Sequence, residues 1–297
     1  MKAIKIMIGV LTVMLSGCSS HEKPFDATGV FEATEVIVSA EQSGQLMRFD
    51  VTEGANVSEN QQVGLIDTVQ LALKARQLGV TSASIAQQRP DTRKQIAVLQ
   101  QELQKAQKEQ ARFELLVKDG AANRKQLDDA ISAVSVLHRQ LEAQQSVLDN
   151  STRTLNSQIS ATDIQKYQVL DLLAKCHVTS PITGTVLEKY AEQGEFANIG
   201  KPLFKVADIN HLFLRAYVTS AQLEKLKIGQ QVKVMSDFGG GKRKQYPGKV
   251  VWISQQSEFT PKTILTDDER ADLVYAVKIA VENDGYIKIG MYGEVKF

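Results

Sequence analysis

The sequence predicts an elongated α+β protein of several domains, in which a long helical hairpin is inserted into a small split β-domain. Three observations predict this fold. Only one glycine and no proline occur between Pro90 and Pro181. The segments flanking that stretch repeat each other at a constant offset of 140 residues. Several short runs typical of strands follow residue 209, which indicates a further β-domain.

The N-terminal residues 1–17 are predicted to be a lipoprotein signal peptide. Lys2 and Lys5 precede an apolar run that is too short to span a bilayer as a permanent helix. The run ends in Leu-Ser-Gly-Cys at residues 15–18, which resembles a bacterial lipobox. That resemblance implies that Cys18 is acylated and anchors the protein to a membrane. Residues 18–28 are then predicted to be a tether from the lipid.

The charge and the cysteines exclude some classes of site. A formal net charge of +1 gives no electrostatic reason to expect a nucleic-acid partner. If Cys18 is acylated, Cys176 has no cysteine left to pair with. The neighbouring Cys176 and His177 do not make a metal site, which needs about four convergent ligands. No catalytic motif is present, so we predict a protein that is not an enzyme and has no cofactor or metal.

The proline-free segment predicts an antiparallel coiled-coil hairpin over residues 68–175. Gly120 suits the left-handed residue that ends one helix, and Asn123 suits the N-cap of the next, with Gln126 at the capping-box position. Pro90 predicts that the first arm is two helices with a bend between residues 79 and 90, Pro90 lying in the first turn of the second helix.

Both arms carry seam positions spaced by three and four residues. In the first arm these are Ile96, Leu99, Leu103, Ala106, Gln110, Phe113 and Val117. One row of the second arm is Leu127, Val134, Leu141, Leu148, Leu155, Thr162 and Val169. The other row is Ile131, His138, Gln145, Thr152, Ile159, Lys166 and Leu173.

The two flanks of the hairpin contain the same strand-turn-strand unit. Gly44 and Gly54 in residues 29–67 correspond to Gly184 and Gly194 in residues 176–208, each pair 140 residues apart. These glycines are predicted turn residues, and the first flank has expected strands at 35–38, 44–46, 54–57 and 63–66. Neither copy can bury its apolar face alone, so the two are predicted to pack together as a β-sandwich.

The repeat resembles a biotinyl/lipoyl-like domain that is split by an insertion. Such a split is typical of the HlyD-like membrane fusion proteins, the periplasmic adaptor subunits of export pumps. The resemblance covers nearly the whole mature chain and implies that residues 209–297 form the family's β-barrel domain. Its expected strands are 211–219, 231–236, 246–253, 273–281 and 293–297, with a short helix at 222–226.

The resemblance extends to the hairpin tip. Family members that dock on TolC-type outer-membrane channels have Arg, three residues, Leu, six residues, Ser. Arg112, Leu116 and Asn123 fall at these spacings, with Asn in place of Ser. The resemblance therefore implies that these residues bind the channel. Asn123 departs from the pattern, although its side chain can still cap a helix and bond a partner.

The resemblance also implies the partners. They are an inner-membrane transporter, for which the long hairpin and the C-terminal barrel favour the ABC type, an outer-membrane channel and other copies of the chain in a hexameric ring. The expected location is the periplasm, with the lipid in the inner membrane. Two other functions stay open. One is a structural envelope lipoprotein. The other is a biotin or lipoyl carrier, although Ile66-Asp67-Thr68 lacks the acceptor lysine.

Overall fold

The computed structural model describes residues 25–237, 243–259 and 273–297, and Cys18 lies outside these residues. Within them the helices are α1 (Val69–Gln87), α2 (Thr92–Lys118), α3 (Arg124–Ala174) and α4 (Ser220–Leu223). The strands up to α3 are β1 (Ala27–Ser39), β2 (Gly44–Phe49), β3 (Asn56–Val57) and β4 (Gln62–Ile66). The later strands are β5 (His177–Thr179), β6 (Gly184–Lys189), β7 (Phe196–Ala197), β8 (Pro202–Thr219), β9 (Gln231–Asp237), β10 (Arg243–Phe259), β11 (Leu273–Glu282) and β12 (Tyr292–Lys296).

The predicted fold class is confirmed by a long antiparallel hairpin of three helices. The 51 residues of α3 form one uninterrupted arm about 75 Å long. The other arm is α1 followed by α2, and both pack against α3. Among the helices of the described residues, none combines the length and the apolar content needed to cross a membrane.

The interruption of the first arm is shorter than the sequence predicts. Helix α1 runs through Gly79 and ends at Gln87, and α2 starts at Thr92. Asp91 caps α2 by accepting the backbone N–H of Lys94 at 3.2 Å. Pro90 therefore lies before the cap and not in the first helical turn. An aspartate can accept the free N–H groups of a first turn, so the helix starts after Asp91.

The hairpin seam agrees with most of the predicted positions. Every predicted position of α2 and of the first α3 row is buried or half-buried. In the second α3 row Ile131 and His138 are exposed, and Ala130 and Leu137 take their places near the tip. A straight helix drifts by about 20° per heptad against a strict seven-residue repeat, so a row fixed at the base rotates away from the seam farther along.

The two copies of the repeat form a sandwich by exchanging strands. One sheet has the order β5-β4-β2-β7, and the other contains β3, β6, the first part of β8 and the second part of β1. Strand β2 of the first copy pairs with β7 of the second, and β3 of the first pairs with β6 of the second. The core between the sheets includes Leu46, Phe49, Ile66, Val186, Leu203 and Phe204, all buried.

The four glycines of the repeat serve two purposes. Gly54 and Gly194 lie in turns with φ of 81° and 92°, a conformation in which a Cβ is unfavourable. Gly44 and Gly184, in contrast, are the first residues of β2 and β6 rather than turn residues. A Cβ on Gly44 would lie 2.7 Å from a methyl of Ile66, and one on Gly184 would collide with the carbonyl of Ala207.

Within the described residues, the second β-domain is a closed barrel of six antiparallel strands. Their order is β1-β12-β9-β10-β11-β8, and pairing of β8 with β1 closes the barrel. The first part of β1 is the barrel strand that the sequence did not predict. Residues 27 and 28, predicted as tether, already pair with Val295 and Glu294 of β12. The barrel core includes Phe31, Leu212, Leu214, Ile279, Ile287 and Val295.

Strands β1 and β8 belong to both β-domains. They pair along almost their whole length, with a register shift between Ala33 and Thr34, opposite Leu212 and Asp208. The barrel lies on one side of this shift and the sandwich on the other. At this shift β8 has three extra residues, 209–211. Asn283 holds this segment in place, because its side-chain amide donates to the carbonyl of Ile209 at 2.8 Å. The two domains are thus joined by a paired ribbon.

Candidate functional site at the hairpin tip

The tip of the hairpin is a tight turn that ends α2 and begins α3. Gly120 has a φ of 70°. Its N–H donates to the carbonyl of Val117 at 3.2 Å, and the N–H of Ala121 donates to that of Leu116 at 2.8 Å. These two bonds form a Schellman motif, which satisfies the last carbonyls of the helix. The backbone at the tip is therefore well defined by local bonds.

Asn123 is the N-cap of α3, as the sequence predicts. Its side-chain oxygen accepts the N–H of Lys125 at 2.9 Å, and the side-chain oxygen of Gln126 accepts the N–H of Asn123 at 3.0 Å. The carboxamide oxygen of Asn123 is thus used by the cap. The residue is exposed, so its NH₂ group is available to donate to water or to a partner.

Arg112 lies on the exposed face of α2, two turns before the tip. Its guanidinium makes an ion pair of 2.9 Å with Glu109 and lies 5.5 Å from the ring centroid of Phe113. The side chain remains 63% exposed. An exposed ion pair of this kind contributes little to stability, about 0–1 kcal/mol, so Arg112 can exchange Glu109 for a partner carboxylate at small cost.

Leu116 and Leu115 face in different directions. Leu116 is half-buried and packs toward α3, beside the seam position Val117. Leu115 is 64% exposed and is the large apolar side chain that the tip offers to solvent. The sequence analysis did not single out Leu115. Its sequence signal is a leucine between the seam positions Phe113 and Val117, five residues before the predicted end of the helix at Gly120.

Basic and acidic side chains are balanced at the tip. From Lys118 to Asp129 the chain has three basic and three acidic side chains. Lys118 ends α2 and Arg124 and Lys125 begin α3, and cations at the start of a helix oppose its dipole. Asp128 and Asp129 follow Arg124 and Lys125 at the i,i+4 spacing, at which opposite charges stabilise a helix. The tip therefore offers a mixed charged surface with the cations nearest the turn.

The other predicted site residues lie far along the chain from this tip. The glycines of the repeat are in the sandwich, at the base of the hairpin. Cys176 follows α3 there, and burial, together with the carboxylate of Asp67, raises the pKa of its thiol. Within the described ranges, no group of three or more His, Cys, Asp or Glu side chains could hold a metal ion.

Comparison with known proteins agrees with this architecture. Residues 34–209 match the family model described as "RND MFP, barrel-sandwich hybrid domain". Over 119 residues the chain is 35% identical to the UPF0194 membrane protein YbhG of Salmonella arizonae and 36% identical to a UPF0194 membrane protein of Yersinia pseudotuberculosis. Each of these matches covers 40% of this chain and only 35% or 36% of the relative.

Solved structures share the fold. The crystal structure of MacA from Actinobacillus actinomycetemcomitans is similar with a TM-score of 0.56 and 21% identity, over 91% of this chain and 76% of that one. A MacA–MexA chimera that contains the Pseudomonas aeruginosa MexA α-hairpin domain gives a TM-score of 0.50 and 22% identity, over 91% and 79%. The chain belongs to the membrane fusion protein family of periplasmic adaptors, and residues 34–209 form the barrel-sandwich hybrid domain of that family.

Proposed function

We propose that this chain is the adaptor of a tripartite export system and links an inner-membrane transporter to a TolC-type outer-membrane channel through the hairpin tip. The observation that carries the proposal is the composition of the tip. Arg112, Leu115 and Asn123 are exposed, and Lys118, Arg124 and Lys125 are exposed cations next to the turn. Such a surface can bind a partly apolar rim that offers carboxylates and carbonyls on the periplasmic end of a channel.

The docking test combines a charge reversal with a truncation of the exposed leucine, Arg112→Glu with Leu115→Ala, and Leu116→Ala is made separately because Leu116 is half-buried. We expect export to fall strongly and a photo-reactive amino acid at residue 121 to stop cross-linking to the channel. Arg139→Glu is the matched control, because Arg139 is also exposed but lies four turns into α3. The docking proposal fails if export and cross-linking survive the double change.

Two substitutions of Asn123 distinguish its role as a helix cap from a role in docking. Asn123→Ala should weaken the cap by about 1 kcal/mol and reduce export. Asn123→Ser keeps a good cap and restores the residue of the family pattern, so export should equal or exceed that of the natural chain. If Ser and Ala reduce export equally while only Ala lowers the melting temperature, the NH₂ group of Asn123 is the docking group.

The transporter is proposed to be of the ABC type, as the long hairpin favours. The matching family model carries RND in its description, so a proton-driven transporter is the competing candidate. Affinity purification of the tagged chain from cross-linked membranes would decide between them. An ABC transporter with a nucleotide-binding domain should co-purify, and recovery of a proton-driven pump instead would overturn this part of the proposal.

The anchoring and assembly are proposed from Cys18 and the family. An acylated Cys18 would hold the chain at the inner membrane, and six copies would form a ring in the periplasm. Labelling with a fatty-acid analogue should mark the natural chain but not Cys18→Ala. Cross-linking in membranes followed by mass measurement should give six copies, and a monomer or a dimer at saturating cross-linker would contradict the ring.

A further inference from the structure

Two lysines lie directly opposite each other on the outer face of the barrel. Lys233 of β9 and Lys296 of β12 are register partners in the antiparallel ladder, and both are exposed. Directly opposed side chains are about 5 Å apart at their Cβ atoms, where like charges repel and destabilise the pair of strands. An anion between the two ammonium groups would remove this repulsion.

The lysines line a cavity of about 550 Å³. Other lining residues are Gln231, Gln245, Pro247 and Phe297. The two glutamines supply amide donors, and the proline and the phenylalanine supply an apolar wall. A cavity with two cations, amide donors and an apolar wall suits a phosphate group attached to a hydrophobic molecule.

Three acidic residues lie near this cavity. One carboxylate oxygen of Asp26 accepts the N–H of the lining residue Phe297 at 2.8 Å. Glu294 precedes Lys296 by two residues, and one of its oxygens accepts from Arg243 at 3.0 Å. Glu282 ends β11, on the far side of β10 and two strands from Lys233, which places it about 10 Å away. A further cation, Lys249, is the register partner of the lining residue Gln231.

The cavity lies where the chain enters the barrel from its N-terminal segment. The N–H of Phe297 donates to the carboxylate of Asp26 at 2.8 Å. Asp26 is eight residues from Cys18, and eight residues span at most about 28 Å. If Cys18 is acylated, as the proposed function holds, the headgroups of the anchoring membrane are within reach of Lys233 and Lys296.

We propose that this site binds the phosphate headgroup of an anionic phospholipid and seats the barrel on the membrane that holds the lipid anchor. One anchor would leave the barrel free to rotate about its tether. A headgroup between the two lysines gives the barrel a second point of attachment. Basic pockets at membrane surfaces bind headgroups in this way.

The test uses the mature chain in a neutral detergent with short-chain lipids. Dioctanoyl phosphatidylglycerol should raise the thermal midpoint of the natural chain, and its apparent Kd should be about tenfold weaker for Lys233→Gln with Lys296→Gln. Lys225→Gln with Lys227→Gln is the control, because these exposed lysines lie on the turn before β9, outside the cavity. It should bind like the natural chain.

Several outcomes would overturn the proposal. They are equal binding of phosphatidylcholine, unchanged binding by the Lys233 and Lys296 variant, and inorganic phosphate binding as tightly as the lipid, which would make free phosphate the ligand. A loss of folding should not account for weaker binding by the double variant. The variant lacks the repulsion between the two lysines, so its melting temperature in low salt should be no lower than that of the natural chain. Binding of a short-chain lipid needs no transporter, channel or acyl group, so failure of the adaptor proposal would leave this result intact.

Discussion

Asn60 and Gly200 occupy equivalent turns 140 residues apart, and both have the left-handed backbone conformation, with φ of 63° and 85°. The N–H of each donates at 2.8 Å across the sandwich, Asn60 to the carbonyl of Ser180 and Gly200 to that of Ala40. The internal two-fold repeat therefore extends to single backbone bonds, although one copy uses asparagine where the other uses glycine.

This relationship predicts unequal effects of substitution at the two turns. Gly200→Ala places a Cβ in the left-handed region and should lower the free energy of unfolding by about 1–2 kcal/mol. Asn60→Gly removes that penalty in the other copy and should change it by less than about 0.5 kcal/mol. Urea unfolding of both variants would test this. A loss at residue 60 equal to that at residue 200 would contradict it.

Substitution by alanine should change the free energy of unfolding in opposite directions at two further glycines. A Cβ on Gly293 would lie 2.6 Å from the ring of Phe31 and 2.7 Å from a methyl of Leu214, so Gly293→Ala should cost about 1–3 kcal/mol by overpacking the barrel. Gly79 lies within α1, where a Cβ would meet only Lys166, at 3.7 Å. Gly79→Ala should stabilise by about 0.5–1 kcal/mol. Thermal melts of both variants decide the signs, and a destabilising Gly79→Ala would contradict the packing described for the base of the hairpin.

Asp91 should control the start of α2 in a pH-dependent manner. Its bond from the backbone N–H of Lys94, together with the Lys94 ammonium, lowers the pKa of the Asp91 carboxyl below 3.8. The stabilisation is present above that ordinary value and is lost as pH falls through the lower folded pKa. The protection factors for hydrogen exchange in the first turn of α2, which are corrected for the intrinsic pH dependence of exchange, should fall over that acidic range in the natural chain.

The variants of Asp91 supply the controls. Asp91→Ala should expose the first turn to exchange at every pH, since no side chain accepts its N–H groups. Asp91→Ser keeps an acceptor without a charge, so the turn should stay protected and lose its acid dependence. Acid-dependent exchange in Asp91→Ser would show that another group is responsible.

Cys176 should be an unreactive thiol in the folded protein. Burial is the main cause of its raised pKa, and the carboxylate of Asp67 adds to it. The stability gained from keeping this thiol neutral is present below the unfolded pKa and is lost as pH rises through the folded pKa. Labelling with iodoacetamide at pH 8 should be slow in the native chain and rapid in denaturant, as expected for a buried thiol. Rapid native labelling would contradict its position beneath α3.

The hairpin and the repeat could be predicted from the sequence because their signals are local. The cap at Asn123 depends on a few neighbouring residues, and the seam depends on periodicity. The predicted start of α2 is too early, because Asp91 and not the preceding proline determines where the helix begins. The barrel closure could not be predicted in the same way. Pairing of Ala27 with Val295 is a contact across nearly the whole chain, and no local pattern in residues 27–33 distinguishes a barrel strand from a tether.

The candidate site was predictable only in part for the same reason. The spacing of Arg112, Leu116 and Asn123 is a sequence property, and the structure places Leu116 and Asn123 next to the turn and Arg112 two turns before it. The exposure of Leu115 depends on how α2 rotates against α3, which the seven-residue pattern fixes only to within a few tens of degrees. Lys233 and Lys296 lie opposite each other because of the register between β9 and β12, and the sequence alone does not give that register.

Sharing β1 and β8 between the two β-domains has a mechanical consequence. The strands are antiparallel neighbours that run between the barrel and the sandwich, so a pull between the hairpin and the N-terminal end of β1 acts along the strands and loads their hydrogen bonds in shear. Bonds loaded in this direction resist together and must break almost at once, whereas a single-chain linker would stretch one residue at a time. The junction between Ala33 and Thr34 can bend at its bulge, yet it transmits tension from the N-terminal end of β1 to the hairpin.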